Sequence, residues 1–269
     1  MAVSPINNVL LTGRPVDYLC LAGSRLYGLD HPDSDYDFWA FGVPSPHDTF
    51  GLRPFEKFNT LSGKSDPRVE VVFKAGENTP IDLNVVSLRT FCHALLSSQI
   101  QPFELLAAPE DAIISSSFIG DYFRERRDTF LSQALYPRFR GYAESEWRRI
   151  TGESSDKLGA RRRRDLTTFG YVRKNACNCL RLLVEGSMLL SNVPLTFPLP
   201  DDEHELLLAV SAGETSMERL TQEYETRMAV LDKAVGNSPL PEYLDRDAVE
   251  AILIDAHRRV TLTTYGVTQ

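Results

Sequence analysis

Gly23-Ser24 and, ten residues further on, Asp35-Tyr36-Asp37 are residue types in an order that can hold a triphosphate and the divalent cation that travels with it. Glycine lets backbone amides approach a phosphate closely, and serine adds a hydroxyl donor. In a strand, residues i and i+2 share a face, so Asp35 and Asp37 are predicted to project side by side while Tyr36 and Phe38 point the other way. Two like charges so placed are tolerable chiefly when a cation or a proton neutralises them. Carboxylate oxygens suit Mg²⁺ or Mn²⁺, and Mg²⁺ usually takes a couple of protein carboxylates together with substrate phosphates.

Neither motif is specific alone. Gly-Ser is common in turns, and an acidic strand edge also serves to block edge pairing. The combination gains weight from its setting: the apolar run Leu19-Cys20-Leu21-Ala22 leads into Gly23-Ser24, His31-Pro32-Asp33-Ser34 makes a turn, and Asp35 to Phe41 reads as a second strand. Two further strands are expected at Val69–Phe73 and Ile81–Val86, with residues 75–80 as a hairpin loop. Asp82 is flanked by apolar neighbours in the second of these, where a lone carboxylate is costly unless paired or bound to metal. It is the expected third metal ligand and the base for an attacking hydroxyl. Glu70 is the competitor, read as a solvent-facing strand residue.

Gly-Ser, a ten-residue gap and Asp-x-Asp resemble the signature of the DNA polymerase beta-like nucleotidyltransferase superfamily. Within it, Leu21 to Leu29 followed by Ser34-Asp35-Tyr36-Asp37 resembles the nucleotidyltransferases found beside RNA ligases in RNA-repair gene neighbourhoods. In that superfamily the third carboxylate sits on a later strand, as Asp82 would. Phe139-Arg140-Gly141-Tyr142, Lys174 with Arg181-Leu182-Leu183, and Ser238-Pro239-Leu240-Pro241-Glu242 resemble motifs of its helical region. Asn178 stands where the resemblance leads one to expect a histidine, and Val210-Ser211-Ala212-Gly213 where it leads one to expect Ile-Arg-x-Gly. The resemblance implies transfer of a nucleoside monophosphate from an NTP with Mg²⁺ or Mn²⁺.

The 269 residues suffice for one large domain or two small ones. No apolar window reaches membrane-spanning length and no secretory leader is evident, so a cytoplasmic protein without membrane partners is expected. Cys20, Cys92, Cys177 and Cys179 match neither a zinc motif nor a disulfide framework and read as core residues or free thiols. The net charge of −8 argues against charge-driven binding of nucleic acid over the whole surface while leaving room for a local basic groove.

Residues 1–18 read as a lead-in and residues 44–67 as loops that interrupt the sheet. Ser87 is placed to cap a helix carrying Leu88, Phe91, Leu95 and Leu96. From about residue 115 the pattern becomes helical: Ile119 to Phe123, Phe139 to Ile150, a charged linker over 151–165, Phe169 to Leu183, Met217 to Val235 with Thr215 and Glu218 as a capping box, and Val249 to Val260. The expected class is therefore α+β: a polymerase-beta-like sheet domain at 1–114 and an all-helical domain at 115–269 that completes the substrate cleft.

Arg148-Arg149 and Arg161-Arg162-Arg163-Arg164 concentrate positive charge in an acidic chain. Guanidinium groups pair bidentately with phosphate, so these runs are candidates for gripping a triphosphate or an RNA backbone; a solvated helix face is the plainer alternative. Lys174 is the better single candidate for the triphosphate, because the resemblance places a lysine there, and Arg25 joins Gly23 and Ser24 in the phosphate-binding set. An RNA or tRNA end is the first expected acceptor. A protein or small-molecule hydroxyl is the second, mildly favoured by the acidic charge, and a non-catalytic nucleotide-binding protein is the third.

Overall fold

Runs rich in β-branched and aromatic residues, broken by Gly, Pro and Asp, make strands through the first half of the chain, and 3.6-residue apolar stripes make helices through the second. The computed structural model describes residues 4–32, 34–74, 80–151 and 159–265. In chain order these form β1 (Ile6–Leu11), β2 (Arg14–Pro15), β3 (Tyr18–Ala22), α1 (Gly23–Leu26), β4 (Tyr36–Gly42), α2 (Pro46–Phe50), β5 (Lys57–Asn59), β6 (Val69–Phe73), β7 (Ile81–Ser87), α3 (Leu88–Leu96), α4 (Ile100–Leu106), β8 (Ile113–Ser116) and α5 (Phe118–Glu125). Then follow α6 (Leu135–Ile150), α7 (Ala160–Phe169), α8 (Arg173–Leu190), α9 (Asp201–Ala212), α10 (Met217–Gly236) and α11 (Arg246–Tyr265).

A five-stranded sheet runs β5-β7-β4-β3-β8, with β4 and β7 parallel and the other pairs antiparallel. A three-stranded antiparallel sheet runs β2-β1-β6. Between them lies a core of Ile6, Val9 and Leu11 from the small sheet and Leu19, Phe38, Ala40, Leu83 and Val85 from the large one. Strand alternation does the sorting: Phe38, Ala40, Leu83 and Val85 are fully buried, while Asp37, Asp82 and Asn84 on the opposite face are half-buried. Along that opposite face the apolar cover begins at Phe41, which stacks on Phe91 of α3 at 4.3 Å.

The expected hairpin of Val69–Phe73 with Ile81–Val86 does not form. β6 pairs with β1 in the small sheet, where Val69 and Val71 pack against the core, and both edges of β7 are taken by β4 and β5 in the large one. Residues 75–79 lie outside the described residues. The stretch read as loops over 44–67 contains α2, capped by the Ser45 hydroxyl accepting from Asp48 N with Pro46 in the first turn, then β5 and a 3-10 turn at Thr60–Ser62. β5 and β8 are too short to carry a periodic signal.

The chain divides into one unit of residues 1–130 and 245–269 and a second of 131–244. The change of composition near 114 precedes this division, because β8 still pairs with β3 and α5 is tied to the sheet domain by the Ser117 hydroxyl on Asp17 Oδ1 at 2.9 Å. α11 belongs to the first unit, where it packs on α3 and buries Val249, Ala256 and Val260. In the second unit α8 is the central helix, packed against α6, α9 and α10.

Ser87 caps α3 as expected. The cap of α10 is Ser216, accepting from Arg219 N at 3.2 Å, and not Thr215. Of the expected linker, residues 152–158 lie outside the described residues, and from Ala160 the chain is helix α7, ended by Gly170 at φ 80° and held by an ion pair of the buried Asp165 with Arg173 at 3.1 Å. No helix among the described residues is long and apolar enough to cross a membrane.

Candidate active site

Register builds the site. β3 and β4 pair Ala22 with Asp37, and β4 and β7 pair Asp37 with Asp82, so the two carboxylates stand in one row on one face of the sheet. The residue after Ala22 is Gly23, which turns the chain into α1 at φ +63°. That turn lies directly on Asp37. A Cβ at Gly23 would overlap Asp37 Oδ2 and lie 3.0 Å from its Cγ. Only glycine serves both demands, the left-handed φ and the close approach. Ser24 follows, half-buried in α1.

Asp35 precedes β4 and is exposed, so the expected Asp35/Asp37 pair is one strand residue and one turn residue. Its charge is felt by Asp82. Burial, foremost, and the Asp35 charge push the Asp82 carboxyl above its ordinary range, against the neighbouring Asn59 and Thr60 side chains, which lower it. Glu70 is exposed on β6 of the small sheet, opposite Leu10.

Arg25 faces the turn before β4. Its Nη2 donates to Ser34 O at 2.7 Å, its Nε to Asp35 O at 3.2 Å and its Nη1 to Asp30 Oδ2 at 3.1 Å, and its guanidinium lies 3.8 Å from the centre of the Tyr36 ring. These three bonds use one N–H on each guanidinium nitrogen, leaving two of its five donors, and they pin the backbone that presents Asp35.

Sequence reasoning missed Asn59, Thr60 and Asn84. Asn59 Nδ2 donates to Asp82 Oδ1 at 3.2 Å and to Asn84 Oδ1. The Thr60 hydroxyl accepts from Leu83 N at 2.8 Å and donates to Ile81 O at 3.2 Å. Asn84 was legible as the residue two places after Asp82 on the same strand face; Asn59 and Thr60 carried no such signal.

Among the described residues no three His, Cys, Asp or Glu side chains are drawn together tightly enough to close round a metal ion. The candidate donors suit a hard cation: all are oxygens, two carboxylates are in register, and half-buried Asp82 has no ion-pair partner among the described residues. The cysteines are buried, and burial pushes the Cys20, Cys92 and Cys177 thiols up to about 12, which leaves them inert.

In the second unit Lys174 is exposed in the first turn of α8, with no ion pair among the described residues. Arg148 and Arg149 end α6, exposed, with Arg149 paired to Glu146 at 2.6 Å. Arg161, Arg162, Arg163 and Arg164 are all exposed on α7. A cavity of about 1030 Å³ between α8, α9 and α10 is lined by this unit alone, and its arginines are already paired, Arg227 with Glu203 at 2.6 Å and with Glu223, and Arg219 with Glu223.

The family model described as the RNA repair pathway DNA polymerase beta family, RlaP, matches residues 7–243. The chain belongs to the RlaP family. It is a polymerase beta-like nucleotidyltransferase, and the row of Ala22, Asp37 and Asp82 with Gly23-Ser24 at its end lies within the matched residues. A nucleotidyltransferase-like protein from Exiguobacterium sibiricum, solved as a crystal structure, is similar over 82% of this chain and 69% of its own at 13% identity, with a TM-score of 0.28, a likeness too distant to transfer any detail. No curated protein matches the sequence.

Proposed function

We propose that this RlaP protein transfers a nucleoside monophosphate from an NTP to the hydroxyl at an RNA or tRNA end, releasing pyrophosphate. The observation that carries the reading is the register of Asp37 with Asp82 on adjacent parallel strands, closed at one end by Gly23 against Asp37. Asp35, Asp37 and Asp82 would hold Mg²⁺ or Mn²⁺, which when bound neutralises phosphate charge and lowers the pKa of the attacking hydroxyl. Gly23 and Ser24 present backbone and hydroxyl donors to the β- and γ-phosphates. Asp82, its proton affinity raised, takes the proton as the acceptor oxygen bonds to the α-phosphorus and the bond to the bridging oxygen of pyrophosphate breaks. Positioning and charge neutralisation supply most of the rate.

Lys174 and the arginines at 148, 149 and 161–164 are the proposed contacts for the triphosphate and acceptor phosphates, because all are exposed; Arg149 would have to exchange or share its bond to Glu146. The net charge of −8 favours, as the second reading, the same chemistry on a protein or small-molecule hydroxyl.

The test is incubation with each α-labelled NTP and Mg²⁺ or Mn²⁺, with total RNA and with protein alone, beside an Asp35→Ala/Asp37→Ala control. Label on RNA that the double variant loses is the expected result. Label on protein alone selects the second reading, and label unaffected by the double variant removes the carboxylates from the chemistry.

A further inference from the structure

The Asp82 carboxylate does not stand on β7 unaided. Three side chains meet on the open face of the sheet edge: Asn59 at the end of β5, and Asp82 and Asn84 on β7, where Asn59 and Asn84 are paired in register. A side-chain amide has two N–H donors, and Asn59 uses its Nδ2 on Asp82 Oδ1 and Asn84 Oδ1. The next residue completes the grip. Thr60, through one hydroxyl, bonds the backbone on both sides of Asp82, accepting from Leu83 N and donating to Ile81 O. Asp82 is thus held by its side chain and by its two flanking peptide groups, all from one dipeptide that joins the end of edge strand β5 to the 3-10 turn after it.

We infer that Asn59 is the positioning residue for Asp82, orienting its carboxylate for the cation and the acceptor hydroxyl; the inference rests on the metal-dependent reading above. The sense is geometric: the bond from Asn59 Nδ2 fixes which way Oδ1 of Asp82 faces, and Thr60 fixes the backbone that carries it. Partners that orient a ligand in this way are worth 10- to 100-fold in metal affinity when removed. Asn84 acts one step further out: it touches Asn59 and fixes the amide, so its loss should leave the bond to Asp82 in place but less well aimed.

The experiment counts bound Mn²⁺ on the full chain by electron paramagnetic resonance, titrating Mn²⁺ alone, with thermal midpoints recorded in parallel. Wild type should bind Mn²⁺, and Asp37→Ala should abolish it. Asn59→Ala should weaken binding about 10-fold or more, Asn59→Gln should recover part of the loss by keeping the donor, and Asn84→Ala should weaken it by about 3-fold or less. Asn59→Ser is read in the same way should the alanine variant fail to fold. A lowered thermal midpoint with unchanged Mn²⁺ affinity in Asn59→Ala would make Asn59 a purely structural residue and overturn the inference while leaving the functional reading intact. Absence of Asp37-dependent Mn²⁺ binding in wild type would overturn the functional reading, and this inference with it.

Discussion

Gly23 lies against the carboxylate of Asp37 so closely that no Cβ fits between them without overlapping Oδ2. The clash is with the tip of a side chain, which can swing aside; the left-handed φ of +63° cannot be relieved so simply. Gly23→Ala should therefore lower stability by about 1–2 kcal/mol, the strain of an L-residue at that φ. It should lower nucleotidyl transfer far more, by about 100-fold, because the displaced group is Asp37. Urea unfolding and turnover measured on one preparation test the split; an active Gly23→Ala enzyme would show that Asp37 does not need its present orientation.

Arg25 should behave as a support for Asp35 and not as a phosphate ligand. Lysine keeps the charge but cannot span Ser34 O, Asp35 O and Asp30 while lying flat on Tyr36. Arg25→Lys is expected to reduce kcat by about 10-fold with KM for the NTP nearly unchanged, in the range seen when a ligand loses its outer partner. A rise confined to KM would return Arg25 to the triphosphate.

Acid stability has an identifiable contributor in Asp48, which is 3% exposed. Burial raises its pKa, but hydrogen bonds from the Thr12 hydroxyl at 2.6 Å and the Ser45 hydroxyl at 2.9 Å, with the charge of Arg68, outweigh burial and hold the carboxyl below its ordinary range. A group whose folded pKa is depressed stabilises above its unfolded pKa, about 3.9, and loses that contribution as pH falls through the folded value. Asp48→Asn should be less stable than wild type at pH 7 by about 1–3 kcal/mol, with the gap closing below pH 4. Urea midpoints from pH 7 to 3 read it directly, and a gap independent of pH would assign the loss to packing.

The exposed arginines of α7 should report on the acceptor without affecting the fold. Replacing Arg161 and Arg164 by Gln should change stability by less than about 0.5 kcal/mol, since neither is buried or paired among the described residues. If both neutralise RNA phosphates, the slope of log K against log salt for single-stranded RNA should become shallower by about 0.7 for each. An unchanged slope would make the run a solvated helix face.

Composition and periodicity alone determined much of this protein. Gly-Ser and Asp-x-Asp at their spacing marked the family and offered a candidate site, because backbone freedom and charge are properties of single residue types. The long helices were equally legible, since Phe139 to Ile150 or Met217 to Val235 each repeat an apolar stripe over several turns. Tertiary structure decided what depends on partners distant in the chain. Only pairing across strands put Asp82 in the row of Asp37, sent Val69–Phe73 to β1 instead of β7, and brought α11 back onto α3. Only packing turned Arg25 inward to the turn it holds and made Asn59 at the end of β5, with Thr60 after it, the support of a carboxylate. Asn59, four positions before Gly63 in an apparent loop, carries no periodic signal, and its role exists only once the strand beside it is in register.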